Sequence, residues 1–151
     1  MMLPTINKFP KYDSVIPSTQ QSIRIRPYNV GEEKTLLIAY EGEDTKEIAK
    51  AILEIVLSCV EEDIDKRRLT MFDVEYLFLQ IRSKAVGETS KVNLNCGNCE
   101  NIIEVQVNLN EIEILKENFP ERKVEITSDY MLDLKFPLYL ELIESQEEKV
   151  P

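Results

Sequence analysis

The chain has 151 residues, of which 18 are Lys or Arg and 28 are Asp or Glu, so its formal net charge is −10. That length suits one domain with a real core, and 43% hydrophobic against 30% charged residues is a globular rather than a disordered balance. The acidity argues against nucleic acid as a partner, no apolar run approaches the ~20 residues of a membrane span, and the lack of histidine removes His-activated nucleophiles and His-containing metal sites.

Residues 1–11 carry Pro4 and Pro10 and no periodic pattern, which predicts an extended arm. Leu3, Ile6, Phe9 and Tyr12 place apolar side chains along it, and such segments are ordered by what they lie against, so these four are candidate partner-binding residues. The first ten residues lack the apolar stretch of a signal peptide. Three cysteines without an export signal then point to synthesis in a reducing compartment.

Asp13–Pro17 and Ser22–Pro27, joined through Pro17-Ser18-Thr19-Gln20-Gln21, read as a β-hairpin. Asn29 with Glu32 three residues on has the form of a helix cap, and that helix should run to about Glu41 and stop at Gly42. Asp44 with Glu47 repeats the signal. In the second helix Ile48, Ile52, Ile55, Val56 and Cys59 share one face, which makes Cys59 a buried structural thiol. The basic triplet Lys66-Arg67-Arg68 reads as a solvated loop.

A third helix is expected from Thr70, with Asp73 in the capping position and Gly87 at the stop. Met71, Val74, Leu77, Phe78, Ile81 and Ala85 form one apolar face. Phe72, Tyr76 and Leu79 add a second strip, so the helix must be sandwiched. Either the rest of the chain covers that strip, or it is an interface for another protein; the same three residues are therefore candidate partner-binding residues.

After Gly87 the period changes to two. Val92, Leu94 and Cys96 alternate with polar residues, as do Ile103, Val105, Val107 and Leu109, with Gly97-Asn98 as a two-residue hairpin loop. Asn110–Leu115, Lys123–Thr127 and Tyr130–Phe136 read as further short strands, with Tyr130, Leu132, Leu134 and Phe136 on one face. Pro137 halts the last, and Leu138–Glu144 can start a final helix. The fold class is α+β in one compact domain. An arm and β-hairpin span 1–28, a three-helix segment spans 29–88, and an antiparallel β-hairpin and meander with a short C-terminal helix span 89–151.

The chemistry on offer is sparse. Gly31, Gly42, Gly87 and Gly97 are isolated, so no Gly-rich phosphate loop can be built, and carboxylate runs such as Glu32-Glu33 and Glu61-Glu62-Asp63 read as solvated faces. No enzyme, small-molecule substrate or cofactor is expected. Cys96-Gly97-Asn98-Cys99 leaves three readings: a plain turn, half of a shared zinc site, or a redox pair. Zinc would need ligands from carboxylates, another subunit or symmetry, because tetrahedral zinc takes four. A redox pair would want a helix N-terminus rather than a turn.

The densest wording is Tyr12-Asp13-Ser14-Val15-Ile16-Pro17-Ser18-Thr19, then Ile25-Arg26-Pro27-Tyr28-Asn29-Val30-Gly31-Glu32-Glu33-Lys34-Thr35-Leu36-Leu37, then the run from Met71-Phe72-Asp73 to Val86-Gly87-Glu88. With the cysteine pair in a β-hairpin, this resembles the small baseplate hub subunit of T-even-type contractile-tailed bacteriophages, over about residues 9–136. The resemblance implies a non-enzymatic part of the central hub of a tail baseplate, beside the spike and the tail-tube initiator. It implies other tail or baseplate hub proteins as partners, and a place in the virion tail after assembly in the host cytoplasm. Helical sequence is expected in relatives beyond the position of Pro151. A permanent structural subunit and a transient assembly chaperone both fit the pattern; the acidic charge would keep either soluble before docking.

Overall fold

The computed structural model describes residues 9–99, 101–114 and 122–145. In chain order the elements are β1 (Tyr12–Ile16), β2 (Gln21–Ile25), α1 (Val30–Glu41), α2 (Thr45–Cys59), α3 (Met71–Ala85), β3 (Thr89–Asn95), β4 (Ile102–Asn108), β5 (Lys123–Thr127), β6 (Tyr130–Asp133) and α4 (Tyr139–Ser145). Helices and antiparallel strand pairs lie in separate stretches of chain, which is the expected α+β arrangement.

The β1–β2 hairpin pairs Tyr12 with Ile25, Ser14 with Ile23 and Ile16 with Gln21, which turns Ile16, Ile23 and Ile25 to the interior. Its turn closes through Gln20 N donating to Ile16 O at 2.8 Å, with Gln20 in the left-handed region at φ 60°. The hairpin is held sideways as well. Ile25 bridges Val60 just past α2, and Glu61 N donates to Arg24 O at 3.0 Å.

Of the three predicted caps, Asn29–Glu32 and Thr70–Asp73 form reciprocal boxes, whereas Asp44 caps α2 without Glu47, accepting from Lys46 N at 2.9 Å. The Asn29 side chain accepts from Glu32 N at 3.0 Å while the Glu32 carboxylate accepts from Asn29 N at 2.8 Å. At α3 the Asp73 carboxylate accepts from Thr70 N at 2.9 Å and from Thr70 Oγ1 at 2.7 Å. Asp73 is wholly buried, and its second oxygen accepts from Ser18 N at 2.8 Å, so one side chain caps α3 and anchors the β1–β2 turn. Buried polar groups are stable only when so satisfied.

The core is built by β1, β2 and all four helices, with Val56, Val74, Leu77 and Ile81 fully enclosed at its centre. α3 packs against α2, β1 and the Leu109–Glu111 turn. The segment 137–139 returns to lie along the entry of α3: Thr70 bridges Leu138, and Tyr139 N donates to Leu69 O at 2.9 Å. α4 then adds Tyr139 and Ile143 to the core, the tyrosine hydroxyl donating to Ala49 O at 3.1 Å.

Several local expectations differ from the structure. Residues 110–114 are not a strand: Leu109–Glu111 is a 3-10 turn, because Asn108 accepts from Asn110 N at 3.1 Å and the buried Leu109 pins the chain beside α3. Leu115 lies outside the described residues. The strands after α3 form two separate two-stranded ladders, β3–β4 and β5–β6, rather than one sheet. The last strand ends at Asp133, after which Leu134 N makes one more bond, to Arg122 O at 2.6 Å. Cys96 N donates to Asn101 O at 2.9 Å, so the β3–β4 loop is wider than the two residues Gly97-Asn98. Met71, assigned to the core face of α3, is 43% exposed, because at the first helical position it stands ahead of the packed turns that start at Val74. The helix α1 does stop at Gly42, but Gly42 stays right-handed, and Glu43 takes the left-handed conformation at φ 54°. Lys66–Arg68 is exposed as expected, in a short 3-10 turn capped by Asp65.

Candidate docking surfaces

Of the arm residues, Leu3 and Ile6 lie outside the described residues. Phe9 and Tyr12 are described, and both carry a cation against the ring: the Arg26 guanidinium carbon is 5.4 Å from the Phe9 centroid, and Lys84 Nζ is 5.4 Å from that of Tyr12. The arm is further tied by an ion pair of Lys11 with Glu61. The arm's entry therefore lies over a charged joint, not over the apolar core.

That joint is built by Arg26. Its guanidinium grips Glu32 with Nη1–Oε2 at 2.9 Å and Nη2–Oε1 at 2.7 Å, and also donates to Ser58 O at 3.0 Å, a carbonyl of the last turn of α2. Ser58 Oγ adds a bond to Glu32 Oε1 at 2.8 Å. The guanidinium bonds hold the Glu32 carboxyl down at about 2, against the opposing effect of burial. Arg26 is raised in turn by its bond to Glu32. Glu61 and Glu62 are likewise engaged, by Arg24 at 2.9 and 3.4 Å. These acidic runs act as ion pairs that fasten β2.

The second strip of α3 is half-covered by this chain. Phe72 meets Phe136 edge to face with ring centroids 5.1 Å apart. Tyr76 lines an open groove with Val15, Pro17, Gln20, Glu113 and Ile114. Leu79 is also only half-buried. The loop and the β1–β2 turn, neighbours that no local pattern announces, supply this cover.

Uncovered apolar surface lies elsewhere. On α1 only Leu36 is buried, while Val30, Leu37, Ile38 and Tyr40 are 81%, 58%, 59% and 51% exposed. The signal for this was present in the sequence: Leu36–Tyr40 is an unbroken apolar run, and five successive helical residues go round the whole circumference, so one core cannot bury them all. Val92, Leu94, Ile103 and Val105 stand exposed on β3–β4, as do Tyr130, Met131 and Leu132 on β6.

Cys59 is enclosed in the core, as its periodicity predicts, and burial pushes its thiol up. Cys96 and Cys99 are free thiols at the tip of β3–β4. Backbone amides of Asn98 and then Cys99, with the Cys99 thiol, face the Cys96 sulfur and draw its thiol down. Among the described residues, no three Cys, Asp or Glu side chains gather into a group able to hold a metal, and no helix is long and apolar enough to cross a membrane.

Comparison with known proteins gives one finding. A family model described as T4 bacteriophage base plate protein matches residues 9–150. No curated protein and no solved structure matches the chain.

Proposed function

Because the chain belongs to the family of T4 bacteriophage base plate proteins, we propose that it is a non-enzymatic subunit of the baseplate hub, docked on neighbouring hub proteins during contractile-tail assembly. Membership gives a structural role at the phage tail baseplate, with other baseplate proteins as partners. The finer placement in the hub rests on the resemblance of the Tyr12–Leu37 and Met71–Glu88 runs to the small hub subunit. The observation that carries docking is the row of apolar side chains left open on α1, Val30, Leu37 and Ile38 above all. Patches of this kind mark protein partners. Phe9 and Tyr12 at the arm's entry, with Leu3 and Ile6 outside the described residues, are further docking candidates, as are the half-buried Phe72, Tyr76 and Leu79.

Mass spectrometry of washed particles against infected-cell extract tests this reading. A hub subunit is retained in particles at a fixed ratio to the other baseplate proteins. Abundance in extract with absence from particles would replace it by the second reading, a transient assembly chaperone, which the same uncovered surfaces serve by holding a tail protein until it is placed.

A further inference from the structure

Resting on the docking role given to α1 above, we propose that the protein segment it receives is basic and amphipathic. Its apolar side chains would sit on the α1 row, with lysine or arginine placed over the C-terminal end of that helix. Val30, Leu37 and Ile38 follow the i, i+7, i+8 spacing of one helical face, and Tyr40 borders it. All four are more than half exposed. The same spacing puts Lys34 and Glu41 on this face, at i+4 and i+11.

The charges here are polarised along the helix. Lys34 stands in the N-terminal half, where its long stem can lie on apolar surface with the ammonium in water. Glu41 ends the helix, Glu43 follows it, and both are exposed. Neither enters an ion pair with another described residue. A helix C-terminus carries negative partial charge and favours a cation. The other long helices have one: Arg26 donates to Ser58 O in the last turn of α2 at 3.0 Å, and α3 ends with Arg82 and Lys84. The last turn of α1 has no basic residue. Two carboxylates and the helix end therefore form one uncompensated negative region beside the apolar row.

That pattern selects the occupant. An uncharged apolar partner would cover Glu41 without a counter-charge, which desolvation makes costly. A second copy brings the same carboxylates and another −10, and an anionic lipid surface brings its own negative charge, so both are repelled. Lysine or arginine in the partner answers Glu41, Glu43 and the helix end together, while apolar anchors fill the row. This is the division into an apolar centre and a charged rim that protein interfaces use.

The test uses the full chain and two synthetic helical peptides, one with a leucine face flanked by lysines and a twin with glutamates in their place. The lysine peptide should bind at least about tenfold tighter at low salt, and the advantage should shrink as salt is raised. Glu41→Lys with Glu43→Lys should abolish that preference. Glu104→Lys with Glu125→Lys, the same charge change at exposed positions of the strand ladders, should keep it. The α1 double variant should unfold at the same temperature or higher, since lysine suits a helix C-terminus better than glutamate, so lost binding is not lost fold. In phage, its incorporation should fall at least about tenfold, with suppressors that exchange lysine or arginine for an acid in another baseplate protein. Equal affinity for the two peptides, or a preference that survives the α1 reversal, would overturn the proposal. So would normal incorporation of the reversed chain where Leu37→Asp is shut out, a result that keeps α1 as a docking surface and removes the basic partner. Absence of the wild-type chain from particles would instead remove the hub assignment and leave the peptide result standing.

Discussion

Arg26 and Glu32 face each other through two parallel hydrogen bonds at 2.9 and 2.7 Å, and this pair joins β2 to the first turn of α1. The Glu32 carboxyl is held at about 2 against an ordinary 4.5. A carboxyl depressed on folding adds stability above its unfolded value and loses it as pH falls through the folded one. Stability should therefore drop between about pH 4.5 and about pH 2. With a side chain only 19% exposed, Glu32→Gln should cost about 2 kcal/mol at neutral pH and flatten that acid limb. Urea unfolding across the range measures both; an unchanged limb would show that other carboxylates carry it.

Asp73 is a stronger structural hinge than its place in a capping box suggests. Asp73→Asn leaves one oxygen to serve the three donors from Ser18 and Thr70. Unpaired buried donors cost ~1–3 kcal/mol each, so a loss of about 2 kcal/mol is expected. Hydrogen exchange of the Ser18 amide should quicken at the same time. A variant that loses stability with that amide still protected would separate the cap from the hairpin anchor.

The turn between α1 and α2 holds its strain one residue beyond its glycine. Glu43→Gly should stabilise the fold by ~0.5–1 kcal/mol, because a left-handed φ of 54° costs glycine little. Gly42→Ala should be tolerated, since a methyl there meets only Ala39 O at 3.5 Å and Ile38 O at 3.8 Å. Thermal unfolding of both variants checks the pair, and destabilisation by Gly42→Ala beyond about 1 kcal/mol would contradict it.

Leu37→Asp and Ile38→Asp should leave stability within about 0.5 kcal/mol, because both side chains face water in the isolated chain. Each should lower incorporation into baseplates about tenfold or more, as buried interface anchors do. Tyr76→Asp is a poorer probe, since Tyr76 is half-buried against the core and the change would also cost folding free energy. Normal incorporation of both α1 variants would remove α1 from the docking surface.

What was legible in the sequence was local. The partners Asn29 and Glu32, or Thr70 and Asp73, stand three residues apart, so the helix starts could be read directly, and so could the α+β order. Non-local packing hid the rest. Nothing near Phe72 announces Phe136 as its cover, and nothing in the Asn110–Ile114 pattern shows that Leu109 is buried beside α3 and Asn108 turns the chain. Alternation marked β3 to β6 as strands but is silent on whether neighbouring pairs share an edge. The two cysteines at the tip were visible, whereas the amides aimed at Cys96 depend on the turn's conformation.

The strap at residues 137–139 has a consequence for how the molecule is made. The enclosed centre, from Ile16 to Ile81, is synthesised well before Tyr139 and Ile143 that close it, and the intervening ladders contribute nothing to that centre. A chain leaving the ribosome must therefore hold an open-sided nucleus while some sixty residues of hairpin emerge, the long sequence separation that slows folding. Ribosome-stalled chains released before and after residue 145 would differ sharply in protease resistance of α2 and α3. Timing of translation, then, is built into the protein through a latch that arrives last.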